Sequence, residues 1–147
     1  MNGIDMLLSV AELTARHGDP TTAAWLQTGL DRYLSSQDRP TLDAALGLGS
    51  TGPGKPAAAT KHRKAIRNHY LKKAYYLIEP TKTPTARCET LAREIRRFES
   101  IIWPRLIGEV EPPAGCSELR KMLFHSKKTG EVLPQNFRTV WRAVFDF

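Results

Sequence analysis

The chain has almost no cysteine. Cys88 and Cys116 stand alone and far apart, with no C-x-x-C and no Cys/His cluster around either. A disulfide framework is excluded, and nothing has the spacing of a zinc site. Long apolar runs are also lacking: nothing approaches the roughly 20 residues that a membrane span needs. The first residues carry an early acid, Asp5, and no basic leader. The expectation is no secretory signal, no membrane, and a cytoplasmic protein with reduced thiols. Nowhere do apolar and polar residues alternate for the length of a strand, which argues against a sheet. Acid is missing from one long stretch: Ala44 to Ile78 holds no Asp or Glu and seven Lys or Arg.

What is present is ordinary in bulk and uneven in placement. The 147 residues suffice for one domain with a real core. The net charge is +7, which suits an anionic partner. Residues 1–50 hold three Arg against six acids, whereas residues 51–147 hold 19 Lys or Arg against nine acids. The halves therefore carry −3 and +10, an asymmetry associated with nucleic acid or an acidic protein surface.

The apolar spacing is helical nearly throughout. Ile4, Leu7, Leu8, Ala11 and Ala15 share one face up to Gly18. Asp19 and Pro20 then form an N-cap and first helical residue, and a second helix completes an antiparallel hairpin. A short helix over about 40–46 leads into "GLGSTGPGKP", where Gly and Pro preclude regular structure. A long helix over 57–78 follows, with Ala59, Ile66, Tyr70, Ala74 and Leu77 as its predicted apolar stripe. Thr83 and Pro84 open a helix to about Ile102, striped by Cys88, Leu91, Ile95, Phe98 and Ile102. Trp103 precedes Pro104, which disfavours helix there. Helices over about 117–126 and 135–145 end the chain, in an outline loosely like a helix-turn-helix but with a longer turn. The fold expected is all-α: a single bundle of six or seven helices. Its parts are an acidic region 1–46, a Gly/Pro hinge 47–56 and a basic region 57–147.

Gly49 to Lys55 fits G-x-x-x-x-G-K, the spacing of a phosphate loop. The next residue should then be Ser or Thr, whose hydroxyl holds Mg²⁺. Here it is Pro56, which also removes a backbone donor. No buried strand precedes the loop, so it reads as a hinge.

The basic helix has the stronger signal. Lys61, Lys64, Asn68, Lys72 and Tyr75 fall on one side at 100° per residue. A merely solvated helix usually mixes Glu with Lys, which this one does not. Lys meets phosphates, Asn can address base edges and Tyr can stack. Lys55 in the loop, Lys127 and Lys128 in the C-terminal turn, and Arg138 and Arg142 on the last helix are further candidate contacts.

Catalysis finds no support. His17, His62, His69 and His125 are scattered, and His62 and His69 lie seven apart, too far for the i,i+4 bite of a helical metal site. No Ser/His/Asp or Cys/His set assembles. The expectation is a non-catalytic protein without cofactor or metal that binds nucleic acid, double-stranded DNA in particular. The alternative is a protein-interaction module or inhibitor that docks a nucleic-acid-binding or acidic protein surface. In that reading the acidic hairpin docks the target or joins a homodimer.

Overall fold

A computed structural model describes residues 3–38, 40–50 and 52–145. Among these residues the chain is all-helical, with seven α-helices and no strand. They are α1 (Gly3–His17), α2 (Pro20–Ser35), α3 (Leu42–Ala45), α4 (Ala58–Tyr76), α5 (Pro84–Arg97), α6 (Glu118–Lys128) and α7 (Phe137–Phe145). No described helix is long and apolar enough to cross a membrane. Contacts gather into two units, Met1–Thr60 and Lys61–Phe147.

In the first unit α1 packs along α2, and α2 along α3. The Asp19 carboxylate caps α2 by accepting from the Thr21 and Thr22 amides, at 2.9 and 3.2 Å. Those hydrogen bonds, Thr22's above all, hold its carboxyl below the ordinary carboxylate value. Gly29 is buried where α2 meets Leu46. A Cβ there would come within 2.3 Å of the Leu46 side chain and 3.2 Å of its Cα, so any larger residue would have to displace Leu46. Trp25 Nε1 donates to the Leu46 carbonyl at 3.0 Å. Gly47 then leaves α3 at φ 69°, the left-handed conformation that glycine adopts freely. The glycine loop thus follows a helix, not a strand. The Leu48 and Gly49 amides both donate to the Asp43 carbonyl, at 2.7 and 3.2 Å.

The second unit holds a continuous apolar core. It takes Leu71, Ala74, Tyr75 and Ile78 from α4 and its end, Cys88, Leu91, Ala92 and Ile95 from α5, Leu123 and Phe124 from α6, and Val140, Ala143 and Val144 from α7. The stripe expected on α5 is buried as read, through Phe98. The stripe expected on α4 is corrected: the buried residues are Leu71, Ala74, Tyr75 and Ile78, and Leu77 is 50% exposed. The inward face is turned by roughly 100°, about one residue on the helical wheel. The partner helices set that rotation, and the residues of α4 alone do not.

After α5 the chain stays helical past the expected break. Phe98–Ile102 form a π-turn and Trp103–Arg105 a 3₁₀ turn that contains Pro104. Pro104 has no N–H to offer an i−4 carbonyl. The wider turn instead lets the Trp103 amide reach back to the Phe98 carbonyl. Ser117 caps α6 at the Arg120 amide, and Asn136 Oδ1 accepts from the Thr139 amide at the start of α7. The helix that α7 packs along is α5. In a helix-turn-helix the last two helices pack on each other across a turn of three or four residues; here residues 129–136 intervene.

Candidate nucleic-acid interface

Five of the seven basic residues of the acid-free stretch fall into two groups by what they touch. Arg63 and Arg67 are used inside the second unit. Arg63 pairs with Glu131 at 3.1 Å. Arg67 donates to the Val132 carbonyl at 2.7 Å and to Asn68 Oδ1 at 2.8 and 3.0 Å. The buried Ser126 hydroxyl donates to the Arg67 carbonyl at 3.2 Å. Burial pulls the Arg67 guanidinium below its ordinary pKa, and the nearby Glu131 opposes that shift. These bonds fix α4 against the loop that follows α6.

Lys61, Lys64 and Lys72 belong to the other group. With Ala65, Asn68 and His69 they line an open groove of about 540 Å³, whose far wall is Ala143 of α7. Lys61 and Lys64 are exposed, whereas Asn68 and Lys72 are half-buried. Asn68 spends its carbonyl oxygen on Arg67, so its amide N–H groups are what remain for a ligand. The groove is therefore lined by three lysines, an amide donor and an imidazole, and by no carboxylate among the described residues. That set suits an anion.

Four of the expected contacts, Lys61, Lys64, Asn68 and Lys72, are thus brought together. Tyr75 is corrected. The wheel places it beside Lys72, yet it is 3% exposed. The Phe145 ring lies edge-on at 5.2 Å, and the Arg87 guanidinium sits 4.1 Å from the Tyr75 ring centroid. Arg87 Nη2 also donates to the Tyr75 carbonyl at 2.8 Å. The end of α7 covers the C-terminal part of the stripe, so Tyr75 cannot stack on a base. Lys127 is corrected as well. Its ammonium is paired with Glu99 on the π-turn, and it belongs to the last turn of α6, not to the connection. Lys128 ends the same helix, exposed, 5.7 Å from the Phe124 ring centroid.

Arg138 and Arg142 are exposed on α7 and border a different depression, with Phe137 and Trp141. On the wheel of α7 they lie roughly 100–140° from Ala143, so they do not share the groove. Lys55 is exposed in the first unit. There the Ser50 hydroxyl lies within hydrogen-bond distance of the Gly52 and Lys55 carbonyls.

Three groove residues, Ala65, His69 and Ala143, lie outside the set of contacts expected from the sequence. His69 is next to Asn68 and four residues beyond Ala65, a spacing that already put it on this side. Ala143 had no signal, because only folding brings α7 to α4. Among the described residues no group of three or more His, Cys, Asp or Glu side chains is placed to hold a metal. Comparison with protein-family models, with curated proteins and with solved structures finds no match.

Proposed function

We propose that the protein is a non-catalytic nucleic-acid-binding protein and that duplex DNA lies along the α4 groove. The observation that carries this reading is the groove lined by Lys61, Lys64, Asn68, His69 and Lys72, to which the described residues contribute no carboxylate. From Lys61 to Lys72 the helix rises about 16 Å. Along one DNA strand that length covers roughly five nucleotides at 3.4 Å each. The three lysines neutralise phosphates, and the Asn68 amide donates to a base edge or a phosphate oxygen. Exposed Arg138 and Arg142 serve as a second contact on α7.

The test is fluorescence anisotropy with a generic duplex and a generic RNA across a salt series. Binding should tighten steeply as salt falls. Each lysine that contacts a phosphate should contribute about 0.9 to the slope of log K against log salt. The triple reversal Lys61→Glu, Lys64→Glu, Lys72→Glu should abolish binding with helix content unchanged. A matched triple at the exposed Arg93, Arg97 and Arg105 removes the same charge elsewhere and should leave most of the affinity. Equal loss from both triples would reduce the groove to part of a diffuse positive field. Absence of binding at low salt would favour the protein-interaction reading.

A further inference from the structure

Within the second unit a cavity of about 170 Å³ lies between the turns that follow α5 and the loop that leads into α6. Its lining is graded in exposure. Phe98 and Phe124, each 1% exposed, form the inner end. Leu106 and Cys116 are half-buried, and Pro113 and Arg120 are exposed at the mouth. The loop over the cavity is held by its own turns. The Glu109 amide donates to the Leu106 carbonyl at 3.0 Å, and the Cys116 amide to the Pro113 carbonyl at 3.3 Å. Two successive prolines, Pro112 and Pro113, fix their φ angles, which stiffens the loop against collapse onto the two rings.

The two ends suit different chemistry. A water at the inner end would need about two to four polar partners, and the Phe98 and Phe124 side chains supply none. An apolar group loses nothing there. At the mouth Arg120 is the one charged residue among the described lining. Glu118, two residues before it, is engaged by Lys121 at 2.6 Å, and among the described residues no carboxylate pairs with the Arg120 guanidinium.

We infer that this cavity binds a small monocarboxylate, its apolar body against Phe98 and Phe124 and its carboxylate on Arg120. A guanidinium presents paired N–H donors that match the two oxygens of a carboxylate, and one cation balances one negative charge. The volume sets the body: an apolar cavity of about 150 Å³ takes benzene, so about six carbons fit here. Cys116 lines the same cavity, so an occupant shields its thiol. The site shares no lining residue with the α4 groove, and its test is independent of nucleic acid.

The probes are benzoate and hexanoate, a ring and a chain of matching size, added to the full chain near neutral pH at matched ionic strength. They should slow alkylation of Cys116 by iodoacetamide, saturably, and raise Tm. A response to one of the two identifies the ring or the chain as the apolar body. Benzyl alcohol, which lacks the charge, should bind at least about tenfold more weakly. Arg120→Gln should weaken the carboxylates at least about tenfold and leave benzyl alcohol unchanged, which a merely structural arginine would not do. No change in alkylation rate or Tm with either carboxylate up to about 10 mM, ten times a millimolar Kd, overturns the inference. Undiminished carboxylate binding in Arg120→Gln overturns it too, because the anion is then held elsewhere.

Discussion

Lys72 and Tyr75 stand three residues apart on one helix and have different surroundings. Lys72 edges the groove, while Tyr75 lies beneath Arg87 and Phe145. Arg87 is accordingly a packing residue. Its Nε is buried without a hydrogen-bond partner, and its guanidinium lies over the Tyr75 ring, where the aromatic face attracts a cation. Reversing its charge would damage the core, so it is no neutral control for the basic face. Its neighbour Cys88 is fully buried, and burial pushes the thiol up from its ordinary pKa while Arg87 acts in the opposite direction. Cys116 is half-buried in the loop before α6. A thiol reagent should therefore label one cysteine in the folded protein, Cys116, and both after unfolding. Rapid labelling of Cys88 in the native state would mean that this core opens readily.

At the scale of the element, α4 shows how weakly one helix specifies its own inward face. Its residues offer two candidate stripes, one through Tyr70, Ala74 and Leu77, the other through Leu71, Ala74 and Tyr75. Both obey the 3.6 period. The second is buried because Leu91, Ile95, Val140 and Val144 meet it in the core. Leu71→Ala should then cost about 2–5 kcal/mol. Leu77→Ala should stay within about 0.5 kcal/mol, as exposed substitutions do. Chemical denaturation of the two variants checks the rotation, and equal costs would contradict it. For α5 the question did not arise. Its outer positions are charged, so Cys88, Leu91, Ile95 and Phe98 form the one apolar stripe it has.

At the scale of the whole molecule, burial is unequal. The apolar core lies within Lys61–Phe147, whereas α1 and α2 together bury only Ala11, Gly29 and Leu30. Amide exchange should follow that inequality. Amides of α5 around Leu91 and Ile95 should be the slowest, and those of α1 should exchange first. Protection in α1 equal to that in α5 would contradict this inequality of burial.

The sequence by itself determined the helical class, the caps at Asp19, Thr83 and Ser117, the core stripe of α5 and the clustering of Lys61, Lys64, Asn68 and Lys72. Each is a local property: helical spacing, a side-chain oxygen before a helix, or one sign of charge on one face. The rotation of α4, the burial of Tyr75, the loss of Lys127 to Glu99 and the Ala143 wall of the groove were decided by tertiary structure. They depend on which surfaces meet across tens of residues of chain. The physical reason is that a helical wheel gives the direction of each side chain about its own axis, whereas solvent access depends on where the neighbouring helices end. Here the end of α7 packs against Tyr75, while Lys61 and Lys64, earlier on α4, are exposed.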